Sequence, residues 1–316
     1  MALAFVFPGQ GSQYVGMGRR LAGQDPEAAG LYAEADEVLG FPLTRLMREG
    51  PEEELRRTVN TQPALVTVST AVARRLMRDI RPDYVAGHSL GEYSALVAAG
   101  ALGFPEVLQL VRRRAEAMEA AVPGGRGGMA AVLGLGTEAV REAVASAAAT
   151  GGAGAGVVEI ANYNCPGQVV LSGETGALRQ AGEECLRRGA TKVVELEVSG
   201  PFHSSLMRPA AEALAAALAG VTLKDAAVPV VANYTAALEQ EAGEIRSNLI
   251  RQLTGAVRWE ESIRLLIDLG VDVFVEVGPG KVLSGLIKRI DRRVAVLQAE
   301  EPEGCQKVLD FLGGGG

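Results

Sequence analysis

The stretch Val85-Ala86-Gly87-His88-Ser89-Leu90-Gly91 constrains this fold more than any other. It sets G-x-S-x-G between a short apolar run, Tyr84 to Gly87, and an apolar helical segment, Leu90 to Ala99. A serine before a helix is often only a helix cap. A sharp strand-turn-helix junction with small flanking residues is instead the setting of a serine nucleophile. Both flanking positions here are glycine, so the stretch predicts an α/β fold with Ser89 as nucleophile.

The rest of the chain supplies strands and helices in alternation. Leu3 to Phe7 reads as a short buried strand stopped by Pro8-Gly9. Helical segments fill the span to about residue 80, and Phe104 to Ala121 reads as a further helix. The Gly-rich run Pro123-Gly124-Gly125-Arg126-Gly127-Gly128 then marks a boundary. Beyond it come a strand (Met129 to Leu133), a helix (Thr137 to Ala149) and two strands (Val157 to Asn162, Gln168 to Ser172). A helix (Thr175 to Arg188) and a strand (Thr191 to Glu195) complete the run. The order β-α-β-β-α-β is that of a ferredoxin-like unit. Residues 126–197 are therefore expected to be an inserted small domain, with 1–125 and 198–316 forming one discontinuous larger domain. After Ser199-Gly200-Pro201, helices at Ser205 to Ala219, Ile245 to Leu253 and Trp259 to Leu269 alternate with strands at Val228 to Val231 and Val271 to Val277. That alternation predicts a mostly parallel sheet. Gly313 to Gly316 reads as a frayed tail.

Composition narrows the function classes. Of 316 residues 48% are hydrophobic and 22% charged, which fits a globular chain with a large core. A net charge of -7 without a basic run argues against a nucleic-acid partner. The three cysteines lack metal-ligand spacing and are odd in number, which suggests a reducing compartment. The opening residues lack a basic region, and no apolar stretch is long enough to span a membrane. A cytoplasmic protein is the expectation.

A serine nucleophile needs a base. The chain holds two histidines. His88 adjoins Ser89, and a sharp turn sends neighbouring side chains in different directions, so His203 is the candidate base. No Asp lies between Ser89 and His203. A carbonyl can orient the imidazole instead, which gives a dyad rather than a triad. The oxyanion donors are expected to be the N–H of Leu90 and one from the loop Pro8-Gly9-Gln10-Gly11-Ser12-Gln13. Arg114 stands out for a different reason. It lies within the apolar stripe Val107, Leu110, Val111, Ala115 and Met118, whereas Arg112 and Arg113 point elsewhere. A buried guanidinium must be paired. The stripe alone leaves two partners open, with a protein carboxylate slightly ahead of a carboxylated ligand.

These residues belong to a longer motif series. It runs F-P-G-Q-G-S-Q at 7–13, G-H-S-L-G-E-Y at 87–93, N-Y-N-C-P-G-Q at 162–168, P-F-H at 201–203 and E-V-G-P-G-K-V-L at 276–283. In this the chain resembles the malonyl-CoA:acyl-carrier-protein transacylase family over nearly its whole length. The resemblance implies an α/β-hydrolase-like large domain with a ferredoxin-like insert. It implies Ser89 as nucleophile, His203 as base, and the N–H groups of Gln10 and Leu90 as oxyanion donors. Arg114 would bind the malonyl carboxylate, Gln252 would lie beside the histidine, and Asn162 would stand at the edge of the insert. The implied reaction is ping-pong transfer from malonyl-CoA to the phosphopantetheine thiol of acyl carrier protein, in fatty-acid synthesis. It implies no metal and no cofactor, and a monomer. Charges on both domains (Arg187, Arg188, Lys192, Lys281, Lys288 and Arg289) are candidates for carrier docking.

Other readings compete. A serine esterase or thioesterase shares Ser89 and His203 but gives no reason for Arg114. A trans-acting polyketide acyltransferase shares the same motifs. A nucleotide-binding module would use Gly134-Leu135-Gly136-Thr137-Glu138-Ala139 with Glu159, although the β-β-α-β order that follows is not a Rossmann repeat. An interaction protein without activity would not need the Ser-His pair.

Overall fold

The computed structural model describes residues 1–122, 125–150 and 156–314. Pro123 and Gly124, part of the expected boundary, and the last two glycines of the expected tail lie outside them. Among the described residues, ten strands occur in chain order: β1 (Ala2–Phe7), β2 (Tyr84–Gly87), β3 (Gly127–Leu133), β4 (Val158–Cys165) and β5 (Gln168–Glu174), then β6 (Lys192–Glu195), β7 (Val230–Val231), β8 (Leu238–Glu239), β9 (Val271–Val277) and β10 (Ala295–Ala299).

Six strands form one sheet in the order β10-β9-β1-β2-β7-β8. Every pairing is parallel except that of β7 with β8. A parallel strand covered by helices on both faces should be apolar throughout. Accordingly, Leu3 to Phe7 is buried at every position. Within this sheet the strand order reverses at β1, between β9 and β2, and the carboxyl end of β2 leads into Ser89.

The second sheet has the order β4-β5-β3-β6 and is antiparallel. Its alternation divides the side chains between two cores. Ala130 and Val132 of β3 pack under the helices Thr137–Thr150 and Thr175–Arg187, whereas Met129 and Ala131 join the core of the large sheet. The two units are also joined by main chain. Val257 donates to the Ala161 carbonyl at 2.8 Å, and Tyr163 donates to the Val257 carbonyl at 2.9 Å. The register of β4 shifts on either side of Asn162, which stays paired with Val170 of β5 and also bridges Val257 of the large unit.

The sequence reading misses several elements. These are β8, β10 and the helices Val282–Ile290 and Pro302–Gly313. Gly313 closes that last helix rather than starting a tail. The expected helix from Ser205 begins as a 3-10 turn, Ser205–Met207, before the α-helix Arg208–Ala219. Pro209 lies in the first α-helical turn, where its missing N–H costs nothing. Among the described residues, no helix is long and apolar enough to cross a membrane, and no cluster of His, Cys, Asp and Glu could hold a metal ion.

Candidate active site

The turn after β2 is tight enough to exclude side chains on both sides. A Cβ on Gly87 would lie 1.9 Å from the Gly91 carbonyl carbon, and one on Gly91 would lie 2.1 Å from the Phe7 carbonyl oxygen. Ser89 takes a left-handed φ of 51°, a strained conformation for a residue with a Cβ. Its peptide is held from both sides. The Ser89 N–H donates to Asn233 Oδ1 at 2.6 Å, and the Ser89 carbonyl accepts from Gln252 Nε2 at 3.0 Å. Asn233 Nδ2 donates to the Gly87 carbonyl at 2.6 Å, so one amide bridges the turn.

His203 likewise takes a positive φ, 59°. Its Nε2 lies 2.7 Å from Ser89 Oγ, and its Nδ1 lies 2.9 Å from the Gln252 carbonyl oxygen. A carbonyl can only accept, so Nδ1 carries the proton and Nε2 presents its lone pair to the serine. Burial, and then the Arg114 charge, push the His203 pKa down to about 3. The imidazole is therefore neutral near pH 7. The turn that follows is tied to β4, where Glu159 accepts from the Ser205 N–H at 2.6 Å. That bond removes Glu159 from any ribose site, and the antiparallel sheet around Gly134 is not a dinucleotide fold, which overturns the nucleotide-binding alternative. His88 turns the other way. Its Nε2 meets Asn164 Oδ1 at 2.9 Å, and its ring packs 5.5 Å from that of Trp259.

Arg114 is 1% exposed on the helix Phe104–Ala121. Its Nη2 donates to Gln252 Oε1 at 3.0 Å and to Ser89 Oγ at 3.3 Å, and its guanidinium lies 5.3 Å from the Tyr93 ring centroid. Its Nε is buried without a partner. The protein carboxylate that the stripe slightly favours does not pair with it. Glu92 reaches Arg114 only through space, and the Gln252 amide bonds to both. A buried cation with open donors beside the serine can receive an anionic group.

Gln10, Ser89, Leu90, Arg114, Asn162 and His203 line one cavity of about 190 Å³. Gln252 is fully buried behind it. Gly9 brings the first loop against the elbow, since a Cβ there would lie 2.5 Å from the His88 carbonyl oxygen. Among the described residues, no main-chain carbonyl takes the N–H of Gln10 or of Leu90. Met118, Met129, Val198 and Phe202 supply apolar walls. Sequence reasoning missed Asn233, Glu92 and Asn164.

An acyl transferase domain model matches residues 4–300. The chain belongs to the acyl transferase family. Among members, the chain is 49% identical to the malonyl CoA-acyl carrier protein transacylase of Bacillus subtilis, over 98% of this chain and 97% of that one. It is 43% identical to the Escherichia coli protein of the same name, over 98% and 99%. Among solved acyl transferases, the Coxiella burnetii malonyl CoA-acyl carrier protein transacylase superposes with a TM-score of 0.95 at 40% identity, covering 99% of this chain and 98% of that one. A malonyl-transacylase in complex with its type II PKS acyl-carrier protein also superposes at 0.95, with 41% identity and coverage of 98% and 100%.

Proposed function

We propose that this chain moves malonyl from malonyl-CoA to the phosphopantetheine thiol of acyl carrier protein, for fatty-acid synthesis. The observation that carries the reading is Arg114 Nη2, 3.3 Å from the hydroxyl of Ser89 and free of any carboxylate partner. An esterase for neutral acyl groups would gain nothing from that buried cation.

In the mechanism, His203 Nε2 takes the Ser89 proton as Oγ attacks the thioester carbonyl. The N–H groups of Gln10 and Leu90 hold the oxyanion; losing one such donor costs roughly 100- to 1,000-fold in turnover. The C–S bond breaks, CoA leaves with the proton from His203, and malonyl-Ser89 remains. The carrier thiol then gives its proton to His203 and attacks the ester. Ser89 recovers its proton, and the thioester forms on the carrier. Arg114 holds the malonyl carboxylate through both halves, and Gln252 holds His203 and Arg114. Asn162, beside the cavity on β4, contacts the acyl-thioester. Proton transfer and two thioesters suffice, so we assign no cofactor and no metal.

The same reading takes 1–125 and 198–316 as an α/β-hydrolase-like catalytic domain and 126–197 as a ferredoxin-like insert, in a cytoplasmic monomer. Of the charges considered for carrier docking, Arg187 and Arg188 are paired with Glu184 and Glu142, and Lys288 bonds to the Val294 carbonyl. Arg289 bonds to Gln168 on the cavity wall at 2.9 Å, and Lys281 is exposed beside Val282, which also lines the cavity. Lys192, exposed on β6, lines no part of the cavity, so docking is assigned to Lys281 and Arg289. Reversing both charges should raise the KM for carrier protein several-fold more than that for malonyl-CoA; an unmoved carrier KM places the site elsewhere.

Steady-state rates against both substrates test the reaction. A covalent intermediate gives parallel double-reciprocal lines. Converging lines would mean direct transfer in a ternary complex.

A further inference from the structure

Glu92 lies three residues after Ser89 on the helix Gly91–Ala98, and its side chain is fully buried. It lines no part of the cavity. Its Oε2 accepts two hydrogen bonds, from the Asn233 N–H at 2.9 Å and from Gln252 Nε2 at 3.0 Å. Each of those two residues grips the Ser89 peptide, one at its N–H and the other at its carbonyl.

We infer that Glu92 is a positioning residue for acyl-group choice: its Oε2 fixes which way the Gln252 amide faces, and so keeps Arg114 turned toward Ser89. The inference rests on the reading of Arg114 as the malonyl carboxylate site. The Gln252 nitrogen sits between two acceptors, the Ser89 carbonyl and Glu92 Oε2. Only an NH2 group satisfies both, so the amide oxygen is left for Arg114, which can only donate. A reversed amide would set donor against donor at the guanidinium. Without Glu92, the Ser89 carbonyl alone would hold the amide in its working orientation.

The arrangement also explains why the partner of Arg114 is an amide. An acid at position 252 would pair with the guanidinium and compete with a carboxylated acyl group. Glu92 sits one hydrogen bond further away. Arg114 therefore has a fixed neutral partner and keeps donors for the substrate. Asn233 hangs on the same Glu92 oxygen and spans the turn from the Ser89 N–H to the Gly87 carbonyl.

The test is a ratio read by intact mass: the rate of Ser89 malonylation by malonyl-CoA over its rate of labelling by phenylmethylsulfonyl fluoride, which is neutral. Loss of folded protein lowers both rates equally and leaves the ratio alone. Glu92→Met fills the space without an acceptor and should lower the ratio roughly tenfold or more, since the Gln252 amide loses a buried acceptor. Glu92→Gln keeps an acceptor oxygen and should restore most of the ratio. A parental ratio in folded Glu92→Met, or a ratio in Glu92→Gln as low as in Glu92→Met, overturns the inference. If Glu92→Met does not fold, Glu92→Asp decides, because it keeps the charge but withdraws the oxygen: a lowered ratio supports the inference and a parental ratio overturns it. Arg114→Ala separates the two readings. If it leaves the ratio unmoved, the Arg114 assignment fails. If it lowers the ratio while Glu92→Met and Glu92→Asp do not, only the role of Glu92 fails.

Discussion

His203 and Gln252 meet through ring and main chain, with Nδ1–H donating to the Gln252 carbonyl oxygen at 2.9 Å. An uncharged acceptor fixes the tautomer without raising the basicity of the ring as a carboxylate would. Burial and the Arg114 charge then act unopposed by an acid, and the pKa falls to about 3. The free base should persist far below the ordinary histidine value of about 6.5. We expect kcat/KM for malonyl-CoA to show no acid limb near pH 6.5. Removing the Arg114 charge removes one of the lowering causes, so Arg114→Ala should move the limb to higher pH. A wild-type limb at the ordinary histidine value contradicts this account.

Arg114 should matter for the charge of the acyl group and not for the serine itself. Arg114→Ala should lower malonyl transfer by about a hundredfold or more, the scale of truncating one partner of a buried charge pair. Acetyl transfer should fall far less. Arg114→Lys should rescue malonyl transfer only weakly, because an ammonium lacks the planar fork. Paired rates with the two acyl-CoAs measure this directly, and equal losses would remove the arginine from substrate recognition.

The buried acids give the protein a stability profile that depends on pH. Burial, and then the charge of Glu92, raise Glu239 to about 8, and burial raises Glu92 to about 7. Both carboxyls therefore bind protons more tightly folded than unfolded, where about 4.5 applies. Their contribution grows as pH falls from about 8 toward the unfolded value and is lost as pH rises through the folded pKa. Below pH 6.5 the two buried histidines, whose folded pKa values are lowered, work in the opposite direction. Melting temperatures should therefore be higher at pH 6.5 than at pH 8.5. Glu239→Gln should shrink that difference by a few degrees, since about 1 kcal/mol moves a chain of this size by roughly 2–4 °C. A variant with the full wild-type difference would exclude Glu239 as a source.

Much of this was legible along the chain because its signals are local. Apolar runs mark β1, β2 and β9, and glycine at 87 and 91 marks a turn too tight for side chains. Arg114 shows itself as a charge inside an apolar stripe, and His203 as the base left once His88 is set aside. Asn233 and Glu92 carry no comparable signal. An asparagine in a loop reads as turn chemistry, and an acid in the first turn of a helix reads as a favourable charge facing water. Their meaning lies in a hydrogen bond between residues 141 positions apart, and no period or spacing encodes it. The strand β10 is short and only half-buried, so it lacks the fully apolar pattern that marks β1.

Intact-mass measurement of the chain after incubation with malonyl-CoA, with and without holo acyl carrier protein, tests the central claim most directly. The account predicts one malonyl adduct on the wild type, none on Ser89→Ala, and its transfer to the carrier when carrier is added. An adduct that survives in Ser89→Ala would contradict it. So would a malonyl group released to water while the carrier stays unloaded.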